Sequence, residues 1–88
     1  MIPAFSGTED AEAYGKLNCG NVTILGEIRN ELTMLDRAGE ILFILIRIDK
    51  KPCRAEQFNK FQIMFTRAQL LRECLRAADI PPICAPGA

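Results

Sequence analysis

From Val22 onward the apolar residues Leu25, Ile28, Leu32, Leu35, Leu42 and Ile46 recur at alternating steps of three and four, with Gly39 holding the one gap. That period places them on one face of a helix and fits no strand. No proline interrupts the chain before Pro52, so a helix of about eight turns is allowed. Asn21 or Thr23 can cap its start. Its weak point is Ala38-Gly39, because glycine costs about 1 kcal/mol relative to alanine inside a helix.

A second stripe follows. Phe61, Met64, Phe65, Ala68, Leu71, Leu75 and Ala78 stand at i, i+3, i+4, i+7, i+10, i+14 and i+17, one continuous helical face. This helix is predicted over residues 54–79. Lys50-Lys51-Pro52 separates the two stripes, since the residue before a proline is pushed out of helical geometry. Ile80-Pro81-Pro82 stops the last helix.

A shorter helix is predicted over residues 8–17. Ser6 or Thr8 is placed to cap it, and Glu9, Asp10 and Glu12 fall where the helix dipole favours negative charge. Gly15 weakens it, and Asn18-Cys19-Gly20-Asn21 ends it, because Gly and Asn carry a backbone through positive φ cheaply.

The predicted class is all-α: a short N-terminal helix folded across a long antiparallel helical hairpin. The apolar run Ile41–Ile48 leaves an alternative, an α+β fold with a buried strand at 41–48, because short β-branched runs are not assigned by periodicity alone. That strand would pair with Phe61–Phe65 or a second copy, and neither carries hairpin-turn chemistry. Helix is therefore preferred. The chain reads as a single domain over 1–88, with an arm at 1–7, a helical core at 8–80 and a flexible tail at 81–88.

A two-helix hairpin covers one stripe on each member, and apolar residues remain outside both. Met34, Ile41 and Ile48 form a separate i, i+7, i+14 line, joined by Phe43 and Ile44, while Ile63 and Leu70 flank the last stripe with Cys74. Met34, Ile41, Phe43, Ile44, Ile48, Ile63 and Leu70 are the candidate partner-binding residues. They predict a homodimer or higher oligomer, or obligate binding to another protein, because a chain of 88 residues has little stability to spare.

Composition narrows the chemistry. There is no His and no Trp. Without His the commonest general base and metal ligand is missing, and Ser-His or Cys-His catalysis within one chain is impossible. No phosphate-cradling glycine order is present. Glu27 and Glu31, four apart, could act as acid and base, but a solvated helix face beside Arg29 and Arg37 is the plainer reading. Tyr14 with Lys16 could stack on a nucleotide, and packing is again plainer. Cys53 beside Lys51 and Arg54 could be reactive, or simply an inert thiol. Neither an enzyme, a cofactor nor a metal site is expected.

Net charge is zero, but its distribution is uneven. Residues 1–46 carry three basic and seven acidic side chains, and residues 47–76 carry eight basic and three acidic. Arg47, Lys50, Lys51, Arg54 and Lys60 surround the predicted reversal and form a candidate anion-binding patch, which Arg67, Arg72 and Arg76 continue. Phe58, Phe61 and Phe65, assigned to the core, leave little aromatic surface for base stacking.

The four cysteines lack a CxxC pair and no secretory signal is evident, so reduced thiols and a cytoplasmic setting are expected, with no membrane anchor. The function expected is a non-enzymatic protein–protein interaction module, a small regulator or inhibitor of a larger macromolecular complex. The rival is an oligomeric anion-binding protein that holds a nucleotide or nucleic acid on the basic patch.

Overall fold

The computed structural model describes residues 2–49 and 55–79, and these fold as three helices with no strand among them. They are α1 (Thr8–Leu17), α2 (Val22–Asp49) and α3 (Ala55–Ala78). The run Ile41–Ile48 lies within α2, so the strand alternative is excluded. Pro52, Arg54 and the predicted tail at 81–88 lie outside the described residues.

Local chemistry sets the helix ends. Gly7 stands at the N-cap of α1 and gives no side-chain cap, so capping by Ser6 or Thr8 is not what occurs. Instead the Asp10 carboxylate reaches back and accepts from both the Ser6 hydroxyl and the Ser6 N–H, the latter at 3.3 Å. An acid in the first turn thus satisfies the residue before the cap. Downstream, the Asn18 N–H donates to Tyr14 O at 3.0 Å and Gly20 turns the chain at φ 79°. Asn21 then caps α2, its Oδ1 accepting from the Ile24 N–H at 3.1 Å.

The core is small and sits at one end of the molecule. Ala11 of α1, Leu25 and Ile28 of α2, and Leu71, Cys74 and Ala78 of α3 are buried together. Ile2 and Phe5 of the N-terminal arm close over this cluster, with Tyr14, Leu32, Leu35, Leu70 and Leu75 around it. The Phe5 and Tyr14 rings meet at 5.4 Å and 56°, so Tyr14 packs.

The two helical stripes of the sequence meet along the α2/α3 seam, but burial fades along it. Leu25 and Ile28 are buried, whereas Leu32, Leu35, Gly39, Leu42 and Ile46 are only half-buried. Across from them Ala68 and Leu71 are buried, while Phe61 and Met64 are half-buried and Phe65 is exposed. Phe58 and Phe65 therefore do not serve as core. The reason is the shortness of α1, which packs against α3 near Cys74 and leaves the far half of the seam as a two-helix contact. A radius of gyration of 15.7 Å, against about 12 Å for a compact chain of this length, records the resulting elongation.

Gly15 has a purpose that its helix propensity conceals. It is buried, and a Cβ there would overlap the Cys74 carbonyl oxygen and lie 2.9 Å from its carbon and 3.1 Å from its Cα. Only a residue without a side chain lets α1 come this close to the α3 backbone.

Candidate protein-interaction surface

Electrostatics separate a finished end from an open one. The acidic first half and the basic second half of the chain meet inside one molecule. Arg67 donates to Glu31 from Nε at 3.3 Å and from a terminal nitrogen at 3.0 Å. Its other terminal nitrogen donates to Pro3 O at 2.8 Å, and the guanidinium lies 5.1 Å from the centre of the Phe5 ring. Arg72 pairs with Asp36 at 2.8 Å, and Arg76 pairs with Glu12 at 2.6 Å and Glu73 at 2.7 Å. The three arginines expected to extend an anion-binding patch are thus engaged within the fold. Glu31 is held by Arg67, thirty-six residues away, which removes it from the postulated carboxylate pair.

Of the five patch residues proper, Lys50, Lys51 and Arg54 lie outside the described residues. Arg47 rests over Phe43, 5.7 Å from the ring centre. Lys60 borders an apolar groove between α2 and α3. Arg47 lies six residues beyond Ile41, which borders the same groove, and so points about 120° away from it around the helix. The structure does not bring Arg47 and Lys60 into one site.

Apolar residues gather where the ion pairs run out. Met34, Ile41, Phe43, Ile44, Leu45, Ile48, Phe58, Ile63 and Phe65 are 53–71 % exposed, Met34 and Phe65 near the middle of their helices and the others toward the end of the α2/α3 pair remote from the core, while Leu17 and Val22 at the opposite end are 80 % and 82 % exposed. Isolated exposed leucines need no explanation, whereas this many large apolar side chains in water call for one. Six of the seven residues expected to bind a partner are among these exposed side chains. Leu70 differs, being half-buried beneath the arm.

Two grooves run along this side. One, of about 460 Å³, is lined by Ala38, Ile41, Leu42, Leu45, Ile63 and Met64, with Lys60 at its edge. Another, of about 540 Å³, lies between the arm and α3, with Phe5, Ile63, Arg67 and Leu70 among its walls. Ile63 belongs to both. Ile44, three residues beyond Ile41, stands beside it on α2, whereas Phe43, two residues beyond, points to the opposite side of the helix. Leu45, Phe58 and Phe65 join the surface without having been expected there. Leu45, at i+4 from Ile41, was legible from spacing, whereas Phe58 and Phe65 carry core-like patterns and are exposed because, among the described residues, α1 does not extend to them.

Among the described residues no helix is long and apolar enough to cross a membrane, and no three His, Cys, Asp or Glu side chains gather as a metal site. Cys19 is disulfide-bonded, at variance with the expectation of reduced thiols. Cys74 is free and fully buried. Burial pushes its thiol pKa up, and the nearby Arg67 charge only partly opposes this.

Cys74 should therefore resist iodoacetamide in the folded protein and react once urea unfolds it. Because its folded pKa is raised, its contribution to stability is intact below the unfolded value of 9.0 and falls as pH rises beyond it. Labelling of Cys74 under native conditions as fast as in urea would contradict this burial. The assay reads peptide masses after digestion.

No family model, curated protein or solved structure matches the chain. Its role must be argued from its own surface.

Proposed function

We propose that the chain is a non-enzymatic protein–protein interaction module, in which α2 and α3 form an antiparallel hairpin that presents its far half to a macromolecular partner. Binding there would regulate or inhibit the complex to which that partner belongs. The observation that supports this reading is the exposure along the far half of α2 and α3: Ile41, Phe43, Ile44, Leu45, Ile48, Phe58 and Ile63 are more than half exposed, whereas the buried cluster and its ion pairs lie toward α1. Water contact at such side chains is relieved by docking, at about 1.5–3 kcal/mol for each one fully buried.

The anion-binding alternative has less support, since Arg67, Arg72 and Arg76 are matched by carboxylates within the chain.

The test uses the full chain as bait for its native partners and compares Ile44→Asp and Ile63→Asp with the parent. Both side chains are exposed, so helicity by circular dichroism should be unchanged while self-assembly or partner capture falls at least tenfold. Arg47→Glu and Lys60→Glu should alter capture less than threefold. The reading fails if the aspartate variants bind as the parent does, or if salt-sensitive phosphate binding is found and is lost on reversing those two cations.

A further inference from the structure

We propose that residues 2–5 of the N-terminal arm are a displaceable strap: closed, they screen Leu70 on α3, and lifted, they join it to the exposed Ile63. The inference rests on the interaction-module reading above and gives that surface a means of regulation.

The contacts of the strap are few. Ile2 and Phe5, three residues apart, are half-buried against the core cluster, whereas Pro3 and Ala4 between them are exposed. Among the described residues one hydrogen bond holds this stretch, from Arg67 to Pro3 O at 2.8 Å. The Phe5 ring adds contacts to the Arg67 guanidinium at 5.1 Å and to the Tyr14 ring at 5.4 Å. A segment held by so little buried apolar surface opens locally, without the rest of the fold.

The docking of α1 does not depend on residues 2–5. Ser6 is fastened to that helix through Asp10, and Gly7 O accepts from the Ala11 N–H at 3.2 Å. Further along, Gly15 rests on the Cys74 backbone and Glu12 pairs with Arg76 at 2.6 Å. Residues 2–5 can therefore swing out from Ser6 while α1 stays in place. Arg67 likewise keeps its two bonds to Glu31.

Opening changes the surface at a defined place. Phe5, Ile63, Arg67 and Leu70 border the same groove of about 540 Å³. Leu70 follows Ile63 by seven residues, about two helical turns, so both stand on one flank of α3. Ile63 is 69 % exposed already, and Leu70 is half-buried where it and Phe5 wall the groove. Ile2 and Phe5 thus hold ground that a docking partner would otherwise use. A closed arm shortens the apolar row on α3, and an open arm lengthens it.

The urea dependence of two reactions on the full chain tests the proposal. Chymotrypsin cutting after Phe5, read by mass, reports the lifted arm. Iodoacetamide labelling of the fully buried Cys74 reports opening of the core. Below the unfolding transition, arm cleavage should be nearly flat in urea while Cys74 labelling rises steeply, because urea acts in proportion to the surface exposed. Phe5→Ala should raise the fluorescence of bound anilinonaphthalenesulfonate, a probe of apolar surface, about twofold. Leu70→Gln in that background should cancel the gain, with Cys74 protection retained in both variants. Arm cleavage that climbs with urea as steeply as Cys74 labelling, or dye fluorescence unchanged by Phe5→Ala, would overturn the strap and leave the interaction surface standing. Failure of that surface shows separately, as Ile44→Asp and Ile63→Asp chains that bind as the parent does.

Discussion

Gly15→Ala should lower the stability of the protein by about 3 kcal/mol and its melting temperature by about 15 °C, although alanine is the better helix former. The added methyl would point at the Cys74 carbonyl, at backbone and not at a side chain able to rotate aside. Relief requires α1 to lift from α3, which opens the contact of Ala11 with the buried cluster around Cys74. The propensity gain of about 1 kcal/mol is too small to offset that. Gly39→Ala is the matched control, because nothing lies within 4 Å of the position where its Cβ would sit. It should stabilise by about 0.5–1 kcal/mol. Urea unfolding followed by circular dichroism measures both, and a Gly15→Ala variant as stable as its parent would mean that α1 does not pack where described.

Removing the Arg67 side chain should rank next. Arg67→Ala deletes two hydrogen bonds to Glu31, one to Pro3 O and the stacking on Phe5. The arginine side chain is 20 % exposed and that of Glu31 38 %, so solvent weakens the ion pair and the released carboxylate is partly rehydrated. Allowing for that, a loss of about 2 kcal/mol is expected, near 10 °C in melting temperature. Arg67→Lys keeps the charge but not the planar fork, and should recover less than half of it. A second readout separates the arm from the ion pair: with Pro3 and Phe5 released, residues 2–7 should be cut faster by protease while helix content stays near the parent's. A change in stability under 0.5 kcal/mol with an equally protected arm would show that Arg67 ties nothing down.

Helix positions were legible because they rest on local spacing. Residues 8–17 were read as observed, and the step pattern of Leu25 through Ile46 does form the inner face of α2. The surplus of Met34, Ile41 and Ile48 was equally visible, since a stripe seven residues apart declares itself without tertiary knowledge. What escaped were contacts between residues far apart in the chain. Glu31 read as part of a solvated face near Arg29 and Arg37, but geometry gave it Arg67. Gly15 looked like a defect in a helix, because a close backbone approach leaves no local trace. Phe65 matched the α3 stripe and is exposed all the same, since α1 is too short to bury that half of the seam.

The long reach of these ties bears on how the chain acquires its shape during synthesis. Pro3 and Glu12 wait for Arg67 and Arg76, each sixty-four residues later, and the α2 seam has no mate until α3 has emerged. Until then a newly made α2 presents both its seam and its outer flank as bare oil to the crowded interior of the cell. For that interval the nascent segment is a candidate for chaperone capture or mispairing, and finishing the fold is what reduces two sticky faces to one.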